Sequence, residues 1–143
     1  MPAKFSLAGL LRLRGIQQDQ AAGVLAAANR EVTAVDRRRS QTADQLAASS
    51  SSADSRETLL AIVAARASAR SMFLELDGIG AQAAARAETA RHEFTKAKSD
   101  TAALDKLAER HRVQSTAEEL RTEQNALDEI SAGSRAPVAA DRA

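Results

Sequence analysis

From Leu7 to Leu46 the apolar residues step along the chain by fours and threes: Leu7, Leu11, then Ala21, Leu25, Ala28, Val32, Val35 and Leu46. A mean spacing near 3.5 residues is the mark of a helix that buries one narrow stripe against another helix. Arg14, Gln18, Arg39 and Thr42 occupy the remaining stripe positions, so the seam is imperfect. Gly9, Gly15 and Gly23 lie within the pattern, each costing a helix roughly 1 kcal/mol relative to Ala. The pattern predicts a first long helix over 4–48, soft near its start.

Ala47-Ala48-Ser49-Ser50-Ser51-Ser52 interrupts that pattern. Serines compete for backbone hydrogen bonds and favour turns and caps over helix interiors, which predicts a turn over 49–53. Ser52 or Asp54 then caps the next segment, with Glu57 in its first turn. That segment, 54–77, is the most apolar stretch and reads as a connecting helix; Asp77-Gly78-Ile79-Gly80 marks a kink or break. A second long helix is expected over 80–132, with a seam of Ala83, Ala87, Ala90, Phe94, Ala97, Thr101, Leu104 and Ala108. The apolar pattern changes phase near His111–Ser115 and resumes with Ala117, Leu120, Gln124 and Leu127. Such a change alters a supercoil locally without ending the helix. Gly133 and Pro137 then stop it, leaving residues 133–143 as a tail.

The expected fold is therefore all-α. One chain buries both seams most simply as a long antiparallel two-helix coiled-coil hairpin, with or without a short additional helix between the two long ones. Residues 1–48 carry a net +3 and 101–143 a net −2, so an antiparallel pairing sets Lys4, Arg12 and Arg14 beside Glu123, Asp128 and Glu129. A solvated charged face, worth little per pair, explains the same charges.

Composition sharpens this picture. Of the residues classed as hydrophobic, 34 are Ala and only 29 are larger. With three Phe and no Trp, Tyr or Cys, the chain lacks the side chains that fill a globular core or a sheet. The absence of Cys excludes disulfides, thiolate nucleophiles and Cys-ligated metals. A net charge of +1 without stacking aromatics gives no argument for nucleic acid. No apolar run approaches the ~20 residues that span a bilayer, and the start of the chain shows no apolar region of secretory length; the expectation is a cytoplasmic protein without membrane insertion. Catalytic sets are also missing. Gly78-x-Gly80 lacks the rest of a phosphate loop, His92-Glu93 lacks a second His at metal spacing, and His111 stands beside Arg110 and Arg112 with no orienting partner. No catalytic, cofactor or metal residue is assigned, and the expectation is a protein that is not an enzyme.

Both ends carry more specific runs. Phe5-Ser6-Leu7-Ala8-Gly9-Leu10-Leu11-Arg12-Leu13-Arg14, followed by Asp19-Gln20-Ala21-Ala22, resembles the opening of flagellar FliJ proteins. Leu104-Asp105-Lys106-Leu107-Ala108-Glu109-Arg110 is similar to that family's Leu-x-x-Leu-x-Glu-Arg segment. The run Glu123-Gln124-Asn125-Ala126-Leu127-Asp128-Glu129-Ile130 looks like its closing Glu-Gln-x-x-x-Asp-Glu-Ile block. The resemblance covers roughly 5–25 and 72–132.

The resemblance implies a coiled-coil component of the bacterial flagellar type III export apparatus, peripherally associated with the cell membrane at the basal body. It implies a stalk inserted in the hexameric export ATPase FliI, promoting ring assembly and linking it to the export gate protein FlhA and to export chaperones. On that reading the ATPase-facing tip is Leu7, Leu10, Arg12, Leu13, Arg14, Leu127 and Ile130, where both chain ends are expected to meet. The same leucines also serve as ordinary seam and cap residues. The gate-facing patch is Met72, Phe73, Leu76 and Ile79; tyrosines that the family places near it are missing here. Two other readings stand beside this one: a stand-alone coiled-coil scaffold that homodimerises through its seam, and a membrane-surface helix over 54–77 with Arg56, Arg66 and Arg70 as a sparse basic face.

Overall fold

The computed structural model describes residues 7–49 and 51–133. Helix α1 spans Ala8–Ala48 and helix α2 spans Arg56–Gly133. They pack against each other, and no strand occurs among the described residues. Expectations for residues 4–6 and for the tail at 134–143 lie outside the described residues.

The two helices are joined between Ala48 and Arg56. Ser49 closes α1: its hydroxyl donates to the Leu46 carbonyl at 2.6 Å and its N–H bonds Gln45 O at 3.1 Å. The cap of α2 is Ser55, rather than Ser52 or Asp54. The Ser55 Oγ accepts the Thr58 N–H at 3.1 Å and lies 2.8 Å from the Thr58 hydroxyl, the reach of an N-cap side chain to the third helical residue.

The expected break at Asp77–Gly80 is absent. Helix α2 is continuous from Arg56 to Gly133, so 54–77 is not a separate connecting helix, and among the described residues no short third helix lies between the two long ones. Packing explains this. Gly80 sits on the seam, where a Cβ would lie 3.4 Å from Val35 Cγ1. Leu76 and Ala83, 4% and 1% exposed, are buried on either side of it. Asp77 is held by Arg39 at 2.9 Å. No glycine among the described residues has a positive φ. Propensity is a weak prior, and helices in proteins draw most of their stability from packing of one face.

The chain divides into two packed units, each made of a piece of both helices. In the unit of residues 15–99, α1 and α2 run antiparallel. Ala28, Ala87 and Ala90 form the centre, with Leu25 and Val32 packed against them. Two ion pairs, Arg39–Asp77 and Arg86–Glu31 (3.1 Å), tie its helices together. The Thr42 hydroxyl, buried, donates to Arg38 O at 2.9 Å and contacts Met72 Sδ at 3.3 Å. Leu76 is the one large apolar side chain among the buried described residues. At ~25 cal/mol per Å² of apolar area, an alanine seam brings the backbones close but stabilises them modestly.

In the other unit, Arg14 fixes the pairing. Its guanidinium lies 3.4 Å from Asp100, and its carbonyl accepts the Thr101 hydroxyl at 3.2 Å. Counting back along α1 and forward along α2 sets Leu7 level with about Ala108. Half-buried positions continue in unbroken heptad phase at Leu104, Ala108, His111 and Ser115, and every described residue beyond Ser115 is exposed.

Candidate functional site

Among the described residues no group of three His, Asp or Glu side chains converges, and no helix is long and apolar enough to cross a membrane. His92 Nε2 lies 3.2 Å from Glu88 on the same helix. Arg112 donates to both carboxylate oxygens of Glu109, at 2.9 and 2.6 Å. That hydrogen bond, with the attraction of the guanidinium, holds the Glu109 carboxyl below its ordinary value and Arg112 above its own. Both groups are surface features of one helical turn. An open groove of ≈ 620 Å³ in the 15–99 unit is lined by Ala21, Val24, Ala28, Ala85 and Ala90 and bounded by Arg86 and Glu31.

What these helices offer is exposed apolar surface. At the start of α1, Leu7, Leu10 and Leu13 are exposed, while Leu11 is half-buried on the seam. Arg12 is exposed, and Arg14 is engaged with Asp100. The structure does not bring Leu127 and Ile130 to these residues. From the level of Leu7, near Ala108, Leu127 lies 19 residues further along α2, roughly 28 Å at 1.5 Å per residue. The proximity expected of Arg14 to Glu123, Asp128 and Glu129 is likewise absent, since its partner is Asp100.

The tip set therefore separates into an α1 cluster and an α2 cluster. Leu127 and Ile130, 66% and 70% exposed, are joined by Val113 and Leu120. With Ala117 they form a stripe at near-heptad spacing, interrupted by Gln124 and offset from the half-buried series that ends at His111 and Ser115. The phase change read from the sequence is thus a change of face: the buried seam becomes polar while a second, unpartnered face becomes apolar. Val113 was missed as a site residue, although its spacing to Ala117, Leu120 and Leu127 carried the signal.

The other predicted patch also divides. Leu76 is buried against α1 and Phe73 is half-buried, whereas Met72 and Ile79 are exposed. Seam spacing accounts for this, because Phe73, Leu76, Gly80 and Ala83 follow one heptad line and Met72 and Ile79 flank it.

A family model described as "Flagellar FliJ protein" matches residues 3–135 of the 143. No curated protein and no solved structure matches the chain.

Proposed function

The chain belongs to the flagellar FliJ family, with the match spanning most of its length, and from that premise we propose that it serves flagellar protein export as the stalk of the export ATPase. Membership implies an export-related component. In this role the protein inserts in the hexameric ATPase FliI, promotes its assembly, and links it to the gate protein FlhA and to export chaperones without catalysing a reaction itself. It acts in the cytoplasm, peripherally at the membrane.

One observation carries this reading. The last described stretch of α2, 116–133, stands without an α1 partner and displays Leu120, Leu127 and Ile130 to solvent. Exposed apolar stripes of this length mark surfaces that become covered by a partner. A single helix with an apolar face suits the centre of a ring, where several subunits close around it. The leucines at the start of α1 form a second, separate apolar cluster, with Arg12 as a solvent-facing charge. Met72 and Ile79 remain the candidates for the gate contact, with Leu76 supporting them from beneath.

The seam needed for a homodimeric scaffold is occupied within the chain by α1 against α2. The test is the ATPase activity of purified FliI with and without this chain. The expected result is stimulation that Leu127→Glu together with Ile130→Glu abolishes while helicity is retained. Absence of any effect of the unmodified chain on the ATPase sinks the reading.

A further inference from the structure

Residues 56–74 of α2 carry a second series at heptad spacing that α1 does not cover. Arg56, Leu60, Val63, Ala67, Arg70 and Leu74 step by four and three without exception, and every one is exposed. The residues that face α1 here are a different set: Ile62, Ala69 and Phe73 are half-buried and Leu76 is buried. One stretch of helix thus presents two seams, one closed by α1 and one open.

The open seam has a distinct chemistry. Leu60, Ala67 and Leu74 form one heptad line, and Arg56, Val63 and Arg70 form the other. Neither arginine has an ion-pair partner among the described residues, in contrast to Arg39 and Arg86 of the same unit, which are paired across the helices. Arg56 therefore opens the exposed series, and Arg70 stands within it between Ala67 and Leu74.

We propose that this face docks an amphipathic helix of another protein, one with apolar residues on a heptad stripe and carboxylates placed against Arg56 and Arg70. Period 3.5 specifies a helical partner, since only a second helix keeps such a stripe in register along its length. The arginines specify its charge, because carboxylates satisfy guanidinium groups in fork geometry and cover their stems. They also decide between occupants. A helix lying on a bilayer keeps cations at the margins of its apolar face, where they reach the headgroups; here Arg70 shares a heptad line with Val63, inside the series. A second copy of this chain sets Arg against Arg in a parallel pairing, and Arg against Leu with no carboxylate in an antiparallel one.

The test uses the full chain and two labelled synthetic peptides. Each has a Leu/Val heptad seam; one carries Glu at the two positions facing Arg56 and Arg70, the other Lys. Fluorescence anisotropy should show the Glu peptide bound at least about tenfold more tightly than the Lys peptide, and less tightly as salt rises. The double variant Arg56→Glu and Arg70→Glu, with helicity checked by circular dichroism, should reverse that preference. Equal binding of the two peptides, binding of neither, or an unchanged preference in the variant overturns the proposal. So does cosedimentation with phosphatidylglycerol–phosphatidylcholine vesicles in place of peptide binding, which assigns the face to a membrane. Self-association that the double variant abolishes overturns it as well, by assigning the face to a second copy.

Discussion

Gly80 shows how one position serves two requirements. Its missing side chain lets Val35 approach, yet the gap to an added Cβ, 3.4 Å from Val35 Cγ1, is ordinary contact distance. Gly80→Ala should therefore stabilise the protein by roughly 0.5–1 kcal/mol through helix propensity alone, read as a higher urea midpoint with an unchanged slope. Gly23, with open space around its Cβ position, should gain a similar amount. A loss of stability on Gly80→Ala contradicts the packing described. At Glu109 the testable quantity is a titration. Its carboxyl is held below the ordinary value first by the hydrogen bond from Arg112. A carboxyl lowered in the folded state favours folding above its unfolded titration range, and that contribution disappears as pH falls through the folded one. Arg112→Gln should move the Glu109 titration back upward in an NMR series; no movement shows that the bond does not persist in solution.

The seam between the helices depends on smallness. Ala83 is 1% exposed and faces α1, so Ala83→Leu must push the backbones apart. The expected cost is about 1–3 kcal/mol, the range for overpacked cores, with loss of thermal stability as the measure. The same change at Ala126, on the exposed stretch of α2, should be near neutral. Equal effects at the two sites mean that the pairing in the 15–99 unit is not the one described. The element that escaped sequence reasoning was the continuity of α2. Gly78 and Gly80 read as a break because propensity is local, whereas Leu76, Ala83 and the Arg39–Asp77 pair hold the helix across them. That misreading moved the register: a second helix starting at 80 would set the start of α1 against the far end of α2, whereas the continuous helix pairs Arg14 with Asp100 and Arg39 with Asp77.

For the molecule as a whole, stability should be uneven along α2. Amides of 76–97, which pack against α1, should show the strongest protection from hydrogen exchange. Those of 116–133 are exposed throughout and should exchange close to the rate of a fraying helix. Uniform protection along α2 shows that the exposed end is covered in solution. Addition of the ATPase should raise protection at Leu120, Leu127 and Ile130 selectively, if that stretch is the inserted one.

The sequence by itself determined the all-α class and, over 21–35 and 83–108, the face on which each seam lies. Period and turn chemistry are local properties, and Leu25, Ala28, Val32, Ala83, Ala87 and Ala90 announce theirs at a spacing no strand produces. Tertiary structure alone decided the register and therefore which apolar residues are left over. A heptad pattern looks the same after a slip of seven residues, so it cannot say where one helix stops covering the other. Contacts between residues distant in sequence settle that: Arg14 with Asp100, Glu31 with Arg86, Thr42 with Met72. They place Leu76 inside, Ile79 outside, and the end of α2 beyond the reach of α1.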